Sequence, residues 1–275
     1  MKTYIAPEWQ NALYQQNLQS FNDIWNYEEN AGIEKDWVEE PNQRRGGWSG
    51  VCRVALLNPQ GEKKIVYLKR QSKHVYHSLF SPFKGRLTFR REFCNIMRFR
   101  KRGLPTVTPI YYGQQGDEAI LMTEDLGGYK SLDAWMLEWQ QKGMPSRRIQ
   151  NCIIREVGQV VNRMHRHYYK HSCLEFKHIF LSLANDEVKI SIIDLEKLRC
   201  CFLLNQYRYQ DLSRLLRKSA KKVKLTDKWR FVKAYGGENA SKETIKSLWR
   251  NLDEFNLKKA ARDLIKNRKG RGKSK

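Results

Sequence analysis

His171-Ser172-Cys173-Leu174-Glu175-Phe176-Lys177-His178-Ile179-Phe180-Leu181, followed by Ile192-Ile193-Asp194-Leu195, is the stretch on which the reading of this chain turns. A polar cluster, His171 to His178, sits directly before a short apolar run. A second apolar run, Val188 to Ile193, then ends in a lone acid. A single carboxylate leaving an apolar strand is poorly placed for packing. Asp194 therefore reads as a functional acid, with a turn acid as the blander alternative.

Working outward, the segments on either side of this stretch are helical. Ser146 to Tyr169 places Ile153, Val157, Val160, Val161 and Met164 on one face. Ser131 caps a shorter helix with Leu132, Trp135 and Met136. On the C-terminal side, Asp211-Leu212-Ser213-Arg214 starts a helix. Thr226 to Tyr235 forms another helix, stopped by Gly236-Gly237, and Ser241 to Ile265 a last one.

The N-terminal half reads as strands and one main helix. A helix is expected over Pro7 to Tyr27, in a mixed N-terminal extension of residues 1–40. Gly46, Gly47 and Gly50 precede a β-rich run, Asn58-Pro59-Gln60-Gly61 is a turn, and Ile65 to Arg70 is a second strand. Glycines at such an entry let backbone N–H groups approach phosphate oxygens, which makes Gly47 and Gly50 candidate nucleotide contacts; a plain turn explains them equally well. Lys69 ends the second strand. Leu87 to Arg102 is a basic helix with Phe89, Phe93, Ile96 and Phe99 near helical spacing, and Glu92, its one acid, borders the inward face. His74 to Arg86, with Tyr76, Leu79, Phe80, Pro82, Phe83 and Lys84, is an aromatic and basic loop too irregular for helix or strand, suited to an amphiphilic ligand or to ordinary packing. Thr106 to Tyr112 and Glu118 to Thr123 are strands joined by Gly113-Gln114-Gln115-Gly116. Glu124-Asp125-Leu126-Gly127-Gly128 then leaves the sheet as a polar hinge where an adenine could bond to backbone.

The charge says what the surface attracts. The chain of 275 residues carries +23. Nine basic residues against one acid lie between Lys258 and Lys275; the rest is spread, notably over Arg86 to Arg102 and Lys221 to Lys233. An anionic partner follows: nucleic acid, anionic lipid or phosphorylated glycolipid. No nucleic-acid-reading motif accompanies the charge, so no specific nucleic acid is expected. No run of eighteen apolar residues and no apolar leader is present, which points to the cytoplasm. The six cysteines have no metal-ligand spacing and read as reduced, mostly small buried hydrophobes. Residues 267–275 are expected to be disordered. Nothing here sets an oligomeric state.

The pattern His171-x-Cys173-x4-His178, with Asp194 in an Ile-Asp-Leu context, resembles the protein-kinase loop and metal-holding acid. Its surroundings resemble more closely the lipopolysaccharide kinases of the Kdo/WaaP type, on the InaA-like branch, whose loop ends in a histidine followed by an apolar run. The resemblance spans roughly Gly46 to Tyr235 and takes in Lys69, Arg91-Glu92-Phe93, Thr123-Glu124-Asp125-Leu126 and Tyr209-Gln210-Asp211-Leu212. It implies an α+β, two-lobed protein-kinase-like fold: an antiparallel N-lobe sheet with one main helix over 41–126 and a mostly helical C-lobe over 127–266. It implies ATP and Mg²⁺ as cofactors, with Lys69 on the phosphates, Glu92 orienting Lys69, Glu124 at the hinge, and Asp194 and His178 in the metal positions. It implies phosphorylation of a heptose or Kdo of the lipopolysaccharide inner core, with the protein peripheral on an anionic membrane surface, the inner face of the inner membrane.

The sequence departs from the pattern at Cys173, where the kinase members carry an aspartate as proton acceptor. A thiol, ordinarily near about 8.5, replaces a carboxylate poorly unless its pKa is lowered. Glu175 and His171 are the other candidate acceptors in the loop. The alternative is a pseudokinase: a binding or regulatory module in which Cys173 is a structural cysteine.

Overall fold

The computed structural model describes residues 2–44, 46–78, 81–184, 187–201, 204–218 and 223–271. The chain divides into two compact units, Met1–Gly127 with Asp194–Glu196, and Gly128–Ile193 with Lys197–Lys275.

The first unit is built on a six-stranded antiparallel sheet in the order β1-β7-β8-β4-β3-β2. In chain order its elements are β1 (Lys2–Ile5), α1 (Gln10–Gln15), α2 (Phe21–Trp25), α3 (Tyr27–Ala31), β2 (Asp36–Arg44), β3 (Gly47–Leu57), β4 (Lys63–Ser72), β5 (Val75–Ser78), β6 (Ser81–Leu87), α4 (Thr88–Lys101), β7 (Pro109–Gln115) and β8 (Glu118–Glu124). Strand β4 shows what the sheet separates. Val66 and Leu68 are fully buried on one face, in a core with Trp9, Leu13, Phe21, Ile24, Ile110 and Met122. The alternate residues of β4, Lys69 among them, belong to the face that meets α4, because side chains alternate along a strand. There α4 buries Ile96 and Phe99 and stacks Phe93 on Tyr112, ring centroids 4.7 Å apart.

Three expectations change here. The first forty residues are part of the unit, not an appendage: β1 pairs with β7 from Lys2↔Gln114 to Ile5↔Tyr111, and α1 and α2 supply core side chains. The expected helix over 7–27 is broken, because Asn17 takes a left-handed backbone (φ 57°) and Ser20 opens a new helix with a reciprocal capping box to Asp23. The expected irregular loop over 74–86 contains a hairpin, β5 with β6, registered at Val75↔Leu87 and Tyr76↔Arg86; Leu79 and Phe80 of that loop lie outside the described residues.

The second unit is mostly helical. Its elements are β9 (Lys130–Ser131), α5 (Leu132–Lys142), α6 (Arg147–Arg166), β10 (Tyr169–Lys170), β11 (Ile179–Ala184), β12 (Glu187–Ile192), β13 (Arg199–Cys200), α7 (Leu204–Lys218), α8 (Leu225–Gly236) and α9 (Lys242–Arg271). Helix α6 buries the five apolar residues that the spacing selects. It crosses α8 closely: a Cβ at Gly158 would stand 2.8 Å from the Ala234 Cβ, so only glycine fits. Strands β12, β11 and β9 make a small sheet that carries the loop. Asp211 lies inside α7, not at its start, and α9 is helical as far as Arg271; the remaining residues of the expected tail, 272–275, and Lys221 and Lys222 of the basic segment, lie outside the described ones.

Candidate active site

In the first unit the strand lysine and the helix acid meet. Lys69 Nζ donates to Glu92 Oε1 at 2.7 Å, with the lysine side chain 22% exposed and the glutamate 5%. The neighbours explain why they meet. Gln71 is two residues beyond Lys69 on the same strand face and fully buried. Its Oε1 accepts from Thr88 Oγ1 at 2.7 Å and from the Phe89 amide at 2.9 Å. It thereby caps the first turn of α4, whose own N-cap, Leu87, provides no side-chain cap. Glu92 comes one turn after Thr88 and is carried to Lys69. Asn95, on the following turn, donates from Nδ2 to the Leu195 carbonyl at 2.8 Å, which ties the Asp194–Glu196 segment to the same helix.

The electrostatics join Asp194 to the pair. Burial alone would lower the Lys69 ammonium, but the charges of Glu92, then Asp194 and Glu39, hold it above the ordinary lysine value. Burial raises the Glu92 carboxyl; Asp194 and Glu196 add to the rise, and Lys69 opposes it. Lys69, Glu92 and Asp194 therefore sit in a surplus of negative charge made by oxygen donors. Magnesium prefers such donors, and it keeps waters and phosphate oxygens in its shell, so it needs only one or two carboxylates from a protein. Among the described residues no three His, Cys, Asp or Glu side chains gather into a cage; the residues present fit a magnesium ion shared with phosphates. Asp194 itself has a left-handed backbone (φ 59°), a conformation unusual away from glycine.

Three nucleotide contacts expected from the sequence, Gly47, Gly50 and Glu124, are engaged within the first unit. Gly47 opens β3 and Gly50 lies within it, so neither is in an open loop. A Cβ on Gly47 would lie 2.1 Å from the Ser72 carbonyl oxygen, and one on Gly50 2.6 Å from the Trp37 ring. Close packing within the sheet accounts for both. Glu124 accepts from the Trp9 indole at 2.8 Å, and its amide donates to the Thr108 carbonyl at 2.9 Å. That carboxylate and that N–H brace the end of β8.

In the second unit the loop is held from below. Asp211, 1% exposed, accepts from the His171 amide at 2.7 Å and the Ser172 amide at 2.9 Å, and from His165 Nε2 at 3.3 Å. Burial works to raise its carboxyl, but the hydrogen bond and charge of His165, with the His171 amide, hold it below the usual aspartate value. His171 is fully buried, and its Nε2 donates to the Ile193 carbonyl at 2.9 Å, so this nitrogen carries a proton and braces the end of β12 where a proton acceptor was expected. His178 donates from Nδ1 to the Cys173 carbonyl at 2.7 Å, closing the loop on itself. Glu175 faces Arg214 on α7, 3.3 Å from Nη1. Cys173, half-buried and reduced, presents its carbonyl to His178 at the centre of these braces.

The strand lysine paired to a helix acid with an aspartate's charge on both, and, in the second unit, the loop hung on a buried helix aspartate, involve the residues that the sequence pattern singles out. A family model, the lipopolysaccharide kinase (Kdo/WaaP) family, matches residues 28–235. The chain belongs to that family. Within it, the chain is 31% identical over 220 residues to protein InaA of Escherichia coli (strain K12), covering 78% of this chain and 94% of that one. It is 27% identical over 158 residues to the lipopolysaccharide core heptose(I) kinase WaaP of Pseudomonas aeruginosa, covering 53% of this chain and 58% of that one. The fold is that of WaaP in complex with acyl carrier protein (TM-score 0.67, 18% identity, 95% of this chain and 99% of that one). It is also that of an aminoglycoside-3'-phosphotransferase of type VIII (TM-score 0.51, 14% identity, 85% and 98%). The expected α+β, protein-kinase-like fold is thus correct, and a lipopolysaccharide-kinase family member of this kind is a phosphotransferase that uses ATP.

Sequence reasoning missed Gln71, Asn95 and His165. The signal for the first two was available. Gln71 shares the strand parity of Lys69, and Asn95 lies three residues after Glu92 on one helix face.

Proposed function

We propose that the chain is an ATP-dependent kinase that phosphorylates a sugar, heptose or Kdo, of the lipopolysaccharide inner core, working peripherally at the cytoplasmic face of the inner membrane. The observation that carries this reading is the Lys69–Glu92 pair at 2.7 Å with the charge of Asp194 acting on both. In this reading Lys69 holds nucleotide phosphates, Glu92 fixes the direction of its ammonium, and Asp194 holds Mg²⁺. The metal would supply charge neutralisation on the phosphates. Phosphoryl transfer asks more of positioning and electrostatics than of a strong base, so a thiol at Cys173 slows the reaction without forbidding it. The +23 charge supports an anionic surface or glycolipid as partner. Among the described residues no helix is long and apolar enough to cross a membrane, which supports peripheral attachment.

A second reading has its own observation. Glu175 lies 3.3 Å from Arg214 Nη1 and His171 Nε2 donates to the Ile193 carbonyl, so both side chains have structural partners where a substitute for the acid was expected. That favours a pseudokinase, binding nucleotide as a regulatory module. The test is ATP-dependent phosphate transfer to purified core glycolipid. The kinase reading expects activity that a Lys69→Ala, Asp194→Ala double variant lowers about 10³-fold or more. Wild-type transfer no greater than that of the double variant sinks it. A gain in turnover of Cys173→Asp, by up to about 10²-fold, would show that the base alone is weak.

A further inference from the structure

Beside the loop, α7 and α9 pack together and, with Ser172, line a pocket of about 310 Å³. That is within the range of small-ligand sites, about 300–1,000 Å³. Among the described residues four cations line it, Arg214 and Arg217 from α7 and Lys259 and Arg262 from α9, against one acid, Asp263. Each pair is spaced three residues apart, so each occupies one helix face, and like charges at that spacing oppose one another. The two faces turn this repulsion into the same pocket. An anion bound there would relieve it.

The cations are not all loose. Arg217 donates from Nε to Ser213 Oγ at 3.1 Å, and Ser213 donates to Asn256 Oδ1 at 2.5 Å, which ties α7 to α9 and aims the guanidinium. Arg214 is partly engaged by Glu175. Lys259 and Arg262 make no ion pair among the described residues. The second observation is Ser172. Its Oγ is buried and has no hydrogen-bond partner among the described residues, and its backbone is left-handed (φ 71°). A buried hydroxyl without a partner costs stability unless something bonds to it. The residue after it is Cys173.

We infer that this pocket is an anion subsite for the acceptor, taking a phosphate or carboxylate of an acidic sugar beside the loop position where the acceptor hydroxyl gives up its proton. The inference rests on the kinase reading for the word acceptor; the anion site itself rests on the pocket. Guanidinium groups recognise such oxyanions by paired N–H donors, and Ser172 adds a hydroxyl donor.

Calorimetric titration of the full-length protein with glucose 6-phosphate, inorganic phosphate and glucose tests it, with a fluorescent ATP analogue titrated separately. Lys259→Gln, Arg262→Gln changes residues that support no ion pair, so the fold is retained; Ser172→Ala is the second variant. The expected result is sugar-phosphate binding tighter than phosphate, none of glucose, and an affinity lowered tenfold or more in the double variant and severalfold in Ser172→Ala, with the ATP analogue unaffected. Equal binding by wild type and both variants overturns the inference. So does equal affinity for phosphate and sugar phosphate, or binding only to phosphatidylglycerol vesicles. If the wild type ignores the ATP analogue while sugar-phosphate binding still needs Lys259 and Arg262, the kinase reading falls and the anion site stands.

Discussion

Lys69 and Arg70 are adjacent on β4 and point to opposite faces of the same sheet, each to a buried glutamate. Arg70 is 3% exposed and its partner Glu28 1%. Its two terminal nitrogens donate to both Glu28 oxygens, at 2.8 and 2.5 Å, and also to the Trp25 carbonyl at 2.6 Å and Cys52 Sγ at 3.3 Å. Lys69 makes one bond to Glu92, keeps 22% of its side chain exposed, and feels a second carboxylate in Asp194. A buried planar guanidinium with four of its five N–H donors spent inside its own unit is closed to a ligand. A compact ammonium with three donors, one of them spent, is not. One pair closes the α3 side of the sheet; the other is built to be completed.

The largest expected effect separates the two faces by stability. Arg70→Ala leaves the Glu28 carboxylate buried without its charged partner and should cost about 3–5 kcal/mol, enough to unfold much of the first unit. Glu28→Leu, Arg70→Leu should recover much of that loss. Lys69→Met should cost far less, because Glu92 already has its carboxyl raised and can take up a proton. The same variant should lose nucleotide binding while Arg70→Lys keeps it. Urea denaturation alongside ATP-analogue titration reads both. If Lys69→Met unfolds as readily as Arg70→Ala, the contrast between structural and functional pairs is wrong.

The loop of the second unit offers the next test. Asp211 has a folded pKa below its unfolded value near about 3.9, so its stabilising contribution is fully present above that value and is lost as pH falls through it towards the lower folded one. Asp211→Asn keeps a side-chain oxygen for one of the two loop amides but gives up the charged partner of His165. It should cost about 1–3 kcal/mol at pH 7 and flatten the acid limb of the stability profile between about pH 5 and 3. A variant whose stability falls with acid as steeply as wild type would place that limb elsewhere.

Much of this was legible in the sequence, for identifiable reasons. Lys69 stands out as the lysine that ends an apolar strand, Glu92 as the one acid of a basic helix, Asp194 as a lone acid after an apolar run, and Asp211 because it follows a family pattern. Gly47 and Gly50 were ambiguous because a glycine needed for close backbone approach reads the same as one needed for a ligand; the Ser72 carbonyl and the Trp37 ring supply the close approach. The pairing of β5 (Val75–Ser78) with β6 (Ser81–Leu87) was hidden because the aromatic and basic residues of that stretch lack a clean period of two. His171 looked available because a sequence shows a histidine's type, not the carbonyl its Nε2 bonds to.

The smallest expected effect bears on how Lys69 finds Glu92. Gln71 offers one oxygen to Thr88 Oγ1 and the Phe89 amide, and its Nε2 donates to the His74 carbonyl at 3.0 Å. Gln71→Met keeps the volume and removes both roles. The loss of such a cap costs about 1 kcal/mol. If Gln71 only fills space, nothing further should change. If it positions α4, the Phe89 amide should exchange its hydrogen faster than in wild type, and nucleotide affinity should fall severalfold, because Glu92 one turn later loses its fixed height against Lys69. Faster exchange at Phe89 with unchanged affinity would mean that the ion pair sets its own geometry and that the cap merely tidies the helix end.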